Sequence, residues 1–219
     1  MPDSPPATDS LADHLKQATA EQHRRAEQRP LQRAMAGGTI ARSMHARWSV
    51  AMLAVHAALE DGLQALPAAR PDLAGTGELI AGHRRHVANL QRDVAAARAA
   101  GHLGPDDETI GPATSATVAD LRHRGAHEPV SLLGSLYVLE GSMNGNRFIA
   151  ARLAEAWGDA EGMAYLDPDG DQQRPRWLHW RAALDGLPLT GTDRAAIAEA
   201  SIAMFDAVSG LSDEVAGEG

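Results

Sequence analysis

The most informative absence in this sequence is cysteine, which does not occur at all. Without a thiol the chain cannot form disulfides, bind an iron–sulfur cluster, use a cysteine nucleophile or offer a thiolate as an axial iron ligand. Aromatic residues are also scarce, with two tyrosines and two phenylalanines among 219 residues. Because aromatic and β-branched residues favour strands whereas alanine and leucine favour helices, this composition predicts an all-α fold.

Charge and hydropathy narrow the class of protein further. The net charge of −9 repels nucleic acid and leaves no broad basic surface for it. No uncharged apolar run reaches the ~18 residues that cross a membrane. Residues 1–9 have neither the apolar core nor the cleavage site of a signal peptide. We therefore expect a cytoplasmic globular protein that binds neither membranes nor nucleic acid.

Prolines, glycines and apolar periodicity divide the chain into helices. Residues 1–9 are polar and proline-rich and are expected to form a disordered tail, followed by a single domain over residues 10–215. No internal repeat or long linker indicates a second domain. The predicted helices cover approximately residues 10–28, 39–66, 76–99, 114–124, 130–157, 172–184 and 193–211.

The helix predicted after Pro129 carries a stripe of glycines. Gly134, Gly141 and Gly145 are spaced seven and four residues apart and therefore share one helix face. Each of them costs about 0.5–1 kcal/mol relative to alanine. Two explanations stay open on this pattern alone, namely close packing against another helix or a flat ligand that lies directly on the backbone.

Ten histidines raise the question of a metal site. His83 with His86, and His123 with His127, could each share a helix face, but neither pair has a third ligand at a recognisable spacing. The Glu-x-x-His and His-Glu-x-x-His motifs are absent, which counts against di-iron and zinc-hydrolase sites. We therefore expect both pairs to be solvated surface residues.

His23 differs from the other histidines because of its neighbours in the first helix. Lys16 precedes it by seven residues and Glu27 follows by four, so the three share one helix face. A neutral imidazole with a carboxylate one turn away suits an axial haem ligand, since Glu27 could accept the other ring N–H and fix the tautomer. Lys16 lies about 10.5 Å along the helix axis from His23 and could reach a haem propionate. The alternative is a partly exposed histidine in a basic helix.

Two segments of the chain resemble motifs of the haem oxygenases. Residues 15–27, LKQATAEQHRRAE, resemble the proximal-helix motif, with His23 at the position of the axial ligand. Residues 137–147, YVLEGSMNGNR, resemble the distal-helix motif of the bacterial members. Arg181 falls at the position of a propionate-binding arginine and Phe205 at that of a pocket aromatic. The resemblance covers nearly the whole chain, and two motifs in this order and separation are highly specific.

The resemblance implies a single-domain helical fold that holds haem between a proximal and a distal helix, with the iron bound by His23. It implies oxidation of haem to biliverdin, carbon monoxide and ferrous iron, using O2 and electrons from a ferredoxin or a flavin reductase. Haem would be substrate and cofactor at once. A phytochrome that accepts the bilin is one candidate partner. Gly141 and Gly145 would let the distal backbone approach the porphyrin and let the helix bend.

Two further positions complete the predicted distal site beside Gly141 and Gly145. Ser142 stands where animal members carry an aspartate that organises water around bound oxygen, so we expect water held by other groups to deliver protons. Asn146 stands where the family usually has glycine or alanine. Because a helix turns about 100° per residue, Asn146 should point away from the glycine stripe and approach a haem edge, where it would tune the seating of the ring.

Other functions stay open at this point. A haem-binding or gas-sensing protein of the same fold would hold haem without turnover, and a non-haem member of the same helical superfamily would act on a small heterocycle. The end of the first helix also carries a basic strip, formed by Arg24, Arg25, Arg29 and Arg33. Such a strip could steer an acidic electron donor, although an ordinary solvated face explains it equally well.

Overall fold

The computed structural model describes residues 10–217, which are all-α as the composition predicts, with no strand in that range. The expectation about residues 1–9 lies outside the described residues. Within residues 10–217 the α-helices are α1 Leu11–Ala18, α2 Ala20–Glu27, α3 Pro30–Ala36, α4 Arg42–Gln64, α5 Leu66–Ala69, α6 Thr76–Ala81, α7 Arg84–Ala99, α8 Pro112–His127, α9 Leu132–Trp157, α10 Gln173–Asp185 and α11 Gly191–Ala216. Three short 3₁₀ helices cover Pro105–Glu108, Pro129–Ser131 and Gly170–Gln172.

The hydrophobic core forms where the long helices α4, α9 and α11 pack together, with α8 against both α4 and α11. Helix α4 shows how the sequence pattern produces this packing, because apolar residues recur on one of its faces at the helical period. These residues are all buried: Trp48, Met52, Val55, Leu59 and Leu63. This apolar face therefore places α4 in the core.

The first predicted helix is divided in the structure. Thr19 leaves the helical conformation, with φ −100° and ψ 3°, and separates α1 from α2. Its hydroxyl donates to the carbonyl oxygen of Leu15 at 2.7 Å, a backbone contact that bends helices. Pro30 begins α3, because proline lacks an N–H and its fixed φ suits the first turn of a helix.

Helix α11 is the one helix within residues 10–217 that is long and apolar enough to cross a membrane by composition, with a mean hydropathy of 1.3 over an 18-residue window. It packs against α1, α2, α3, α8 and α9. The central helix of a globular domain has the same composition, because it buries apolar residues against several neighbours.

Two glycines of the α9 stripe have different surroundings in the fold. A methyl group added at Gly134 would overlap the carbonyl oxygen of Ile197 and lie 2.9 Å from the backbone nitrogen of Ser201, so α9 and α11 touch backbone to backbone. The Ser201 hydroxyl donates to the Gly134 carbonyl at 3.1 Å across this contact. A methyl group at Gly145 would meet no atom within 4 Å. Close helix packing therefore explains Gly134 but not Gly145.

These surroundings predict opposite effects of the same substitution. We expect Gly134→Ala to lower the free energy of unfolding by about 1–3 kcal/mol, the usual cost of overpacking a close contact. The matched variant Gly145→Ala should raise it by about 0.5–1 kcal/mol, because alanine is the better helix former and has open space. Urea unfolding followed by circular dichroism measures both. Equal effects at the two positions would contradict the backbone contact.

Candidate functional site

A cleft of about 380 Å³ opens between the α1–α2 segment, α9, α10 and α11. This volume lies within the ~300–1,000 Å³ that is usual for small-molecule sites. The lining is mostly apolar and aromatic, with cationic and hydroxyl groups among it. The lining residues are Lys16, Thr19, Ala20, His23, Tyr137, Val138, Gly141, Ser142, Trp177, Arg181 and Phe205.

One wall of the cleft is helix α2, which contains no buried residue. The side chain of His23 is 56% exposed, and its Nδ1 lies 3.6 Å from the Glu27 carboxylate. Since Nδ1 faces Glu27, Nε2 is the ring nitrogen left to bind a ligand. Isolated short helices have marginal stability in water. A ligand that covers α2 would therefore stabilise it, because α2 buries no residue against the rest of the domain.

The neighbouring helix α1 anchors this exposed wall to the rest of the domain. It buries Leu11, Ala12 and Leu15 in the core. The Ala12 backbone N–H donates to Asp185 of α10 at 2.9 Å, which satisfies one of the free amides at the helix N-terminus. The bend at Thr19 then directs α2 along the cleft. The first half of the predicted helix therefore anchors the segment in the core, and the second half forms a wall of the cleft.

Two cationic residues, Lys16 and Arg181, lie in the cleft lining. The Arg181 guanidinium donates to Asp13 at 2.6 Å, and Asp13 is itself 62% exposed. Lys16 is exposed and has no ion pair with any other described residue. Both residues can therefore bind an anionic group of a ligand. Lys16 can do so directly, and Arg181 can do so by releasing Asp13 or by binding the ligand and Asp13 together.

The opposite wall combines a bare stretch of α9 with aromatic rings. A methyl group added at Gly141 would lie 3.2 Å from the Trp177 ring, so the indole rests against the α9 backbone. Trp177 also stacks on Trp180, with ring centroids 5.4 Å apart and planes inclined by 14°, and it lies 5.4 Å from the Tyr137 ring. Reasoning from the sequence missed Trp177. The available signal was its position four residues before Arg181, on the same face of α10.

The structure brings most of the predicted site residues together. Those that line the cleft are Lys16, His23, Gly141, Ser142, Arg181 and Phe205. The Phe205 ring lies 5.5 Å from the His23 imidazole, edge to face. Glu27 does not line the cleft but faces His23. The roles assigned to these residues stay predictions.

Gly145 and Asn146 lie outside the cleft lining. Gly145 is exposed to solvent. Asn146 is 8% exposed, with its amide nitrogen 3.9 Å from the Met143 sulfur. Asn146 does turn away from the stripe as predicted, but the rotation carries it into the core and not to an edge of the cleft.

The expectation that His83 and His86 are surface residues is wrong, because both are fully buried. Their third partner is Glu140 of α9, which sequence spacing could not reveal because it lies more than fifty residues away. Burial raises the pKa of Glu140, but its close contacts with His83 and His86 outweigh burial and hold that pKa well below its usual range. The sequence signal was an acidic residue within an otherwise apolar run. His123 and His127 are exposed, as predicted.

Comparisons with known proteins agree with this architecture. Among solved structures, the haem oxygenase of Leptospira interrogans is 23% identical with a TM-score of 0.77, covering 94% of this chain and 99% of that one. Haem oxygenase-1 of the cyanobacterium Synechocystis in complex with haem is 19% identical with a TM-score of 0.78, covering 95% and 93%. Haem oxygenase 2 of Chlamydomonas reinhardtii without haem is 18% identical with a TM-score of 0.80, covering 94% and 97%.

At these identities the structural likeness shows the all-α fold alone. Among curated protein sequences, none matches this chain. The family model described as "Heme oxygenase" matches residues 9–211, nearly the whole chain. Because this match spans nearly all of the chain, it shows that the chain belongs to the haem oxygenase family.

Proposed function

We propose that this protein is a haem oxygenase that cleaves haem to biliverdin, carbon monoxide and ferrous iron. O2 is the oxidant, and an external donor supplies the electrons. The observation that carries the proposal is that His23, on a helix without buried residues, lines the same cleft as the bare backbone of Gly141. This pairing combines an iron ligand with a surface on which a flat ring can lie.

The residues of the cleft fit haem in charge and in shape. His23 would bind the iron, while Lys16 and Arg181 would bind the anionic propionates. Phe205 and Trp177 offer aromatic contact area to the porphyrin. Bound haem supplies both the iron that activates O2 and the ring that is oxidised.

The protein itself contributes orientation and control of protons. Glu27 would accept the Nδ1–H of His23, which fixes the tautomer with Nε2 toward the cleft and raises the basicity of the ligand. Gly141 leaves space at the cleft wall because it has no side chain. The Ser142 hydroxyl donates to the Leu139 carbonyl at 2.8 Å, and its oxygen can accept a further hydrogen bond.

One observation favours a second candidate function, haem binding or gas sensing without turnover. None of the described residues that line the cleft is acidic, so protons must come through water or hydroxyl groups. The two functions are distinguished by adding haemin and then a reductant in air. Turnover converts the Soret band to a biliverdin band, whereas a sensor keeps a stable Soret band. If no Soret band forms, both functions are rejected and a non-haem activity gains support.

His23→Ala should remove the native axial ligand. Haem should still enter, because burial of the porphyrin provides most of the binding free energy. Bilin production should fall by more than about 100-fold, since loss of a mere outer partner of a metal ligand already costs ~10–100-fold. Added imidazole should restore part of the rate. The matched variant His14→Ala changes an exposed histidine of α1 and should keep the wild-type Soret position. An unchanged Soret band in His23→Ala would rule out His23 as the ligand.

Gly141→Leu should prevent haem binding without unfolding α9, because leucine favours helix but its side chain would fill the cleft beside Trp177. Gly145→Leu is the matched control and should bind haem normally, since its position faces open space. Haem titration gives the affinities, and circular dichroism checks the helix content. Equal haem affinities in the two variants would contradict the assignment of Gly141 to the haem surface.

The basic strip predicts a salt-sensitive electron-transfer step. Arg24 and Arg25 are exposed beside His23, whereas Arg29 pairs with Asp213 at 3.3 Å. The double variant Arg24→Glu/Arg25→Glu should slow reduction by an acidic ferredoxin at low ionic strength by about 10-fold or more, and salt should remove the difference. A flavin reductase can be tested in the same way.

The control for this step changes the net charge equally at two exposed arginines outside the cleft, Arg84→Glu and Arg122→Glu. It should leave the reduction rate close to that of the wild type. If both double variants slow reduction equally, net charge and not a docking strip is responsible. We place this reaction in the cytoplasm, with a bilin-accepting phytochrome as one candidate recipient of the product.

A further inference from the structure

A second group of functional side chains lies in the core, outside the lining of the cleft. It brings together three histidines, one glutamate and one tyrosine from four separate parts of the chain. All five are almost completely inaccessible to solvent: His56, His83, His86, Glu140 and Tyr165. The reaction proposed for the cleft assigns no role to them.

Three of these residues direct ligand atoms at a common point. Glu140 Oε1 lies 3.0 Å from His86 Nε2 and 3.3 Å from His83 Nδ1. All three atoms lie within 4.8 Å of one another. Ligand atoms that share a cation at bond lengths of ~2.0–2.2 Å are themselves about 3–3.6 Å apart, so the two distances to Glu140 suit a shared cation as well as they suit hydrogen bonds.

The charge of the cluster also favours a cation. Among the described residues, no lysine or arginine pairs with Glu140. The side chains that contact its carboxylate are instead the imidazoles of His83 and His86. An ionised carboxylate in the core is costly unless a positive charge compensates it. Neutral imidazoles are also the form of histidine that binds metal ions.

A chain of hydrogen bonds behind His83 orients its ring. His83 Nε2 lies 3.3 Å from His56 Nδ1, and His56 Nε2 lies 2.8 Å from the Tyr165 hydroxyl. If each imidazole donates along this chain toward Tyr165, the lone pair of His83 Nδ1 points at Glu140. Two electron pairs would then face each other, an arrangement that a cation between them stabilises. Such outer partners are typical of histidines that bind metals.

We propose that His83, His86 and Glu140 bind one divalent transition-metal ion that connects α7 to α9 in the core. Two histidines and one carboxylate form a ligand set that suits Zn²⁺ or Fe²⁺. Because the site is closed to solvent, the ion has a structural role and enters as the chain folds. It fixes α9, and with it the cleft wall that α9 forms.

The competing arrangement is a cluster held by hydrogen bonds alone. Reversal of the chain lets Tyr165 donate to His56, His56 donate to His83, and His83 donate to Glu140. No cation is then required, although the charge of Glu140 stays uncompensated. The two arrangements differ in what they bind, so metal content and metal-dependent stability distinguish them.

The test uses the untagged full-length chain without haem, in a His123→Gln/His127→Gln background that removes the exposed histidine pair. The protein is unfolded in denaturant with a chelator and refolded with Zn²⁺ or Co²⁺. After dialysis we expect about one ion per chain, a Co²⁺ spectrum typical of nitrogen and oxygen ligands, and a Tm raised by roughly 5–10 °C over protein refolded with chelator. His86→Gln and Glu140→Gln should lose the ion and the rise in Tm.

Two outcomes would overturn the proposal. One is a background protein that retains no ion and has the same Tm with metal and with chelator, which would establish the hydrogen-bonded cluster. The other is full retention of the ion by Glu140→Gln, which would place the ion elsewhere. Should a variant fail to fold, the comparison of metal with chelator on the background protein alone still decides. No step of the test uses haem, so it is independent of the proposed oxygenase activity.

Discussion

The contact on which the remaining structure depends is the backbone approach of α9 to α11 at Gly134. No side chain separates the two helices there, and Ser201 donates a hydrogen bond to Gly134 across the contact. This close approach fixes the position and the rotation of α9. Because α9 contributes Gly141 to the cleft and Glu140 to the buried cluster, both sites depend on that rotation. A shift that disturbed one would disturb the other.

The glycine stripe combines three physical situations along one helix face. Gly134 allows backbone packing, Gly141 meets the edge of Trp177, and Gly145 faces open space. Spacing alone cannot separate these cases, because the residues share a face but not a neighbour. Of the two explanations for the stripe, helix packing therefore applies to its first glycine, and the ligand-surface explanation is supported only at its second. Neither explanation applies to Gly145, so helix bending is the remaining reason for a glycine at this position.

The charge of the cleft lining is opposite in sign to the net charge of the protein. The chain carries −9 overall, yet the cleft lining includes Lys16 and Arg181 and none of its described residues is acidic. The core holds the reverse arrangement, with the carboxylate of Glu140 beside the imidazoles of His83 and His86. An anionic ligand is therefore favoured at the cleft and a cation at the buried cluster. Glu140 and Gly141 are adjacent in α9 and about 100° apart around the helix, so the buried cluster and the cleft wall use different faces of it.

The sequence by itself determined the helical class, most helix positions and the contact between His23 and Glu27, because these follow from local periodicity and from residues one turn apart. It did not determine the break at Thr19, where a hydroxyl bond to the backbone competes with the helix. Only the tertiary structure decided three features: the burial of Asn146, the contact of Trp177 with the α9 backbone, and the partners of His83. A buried polar cluster joins residues that are far apart in the chain, and the rotation of α9 against its neighbours, set by packing at Gly134, determines which side chains meet.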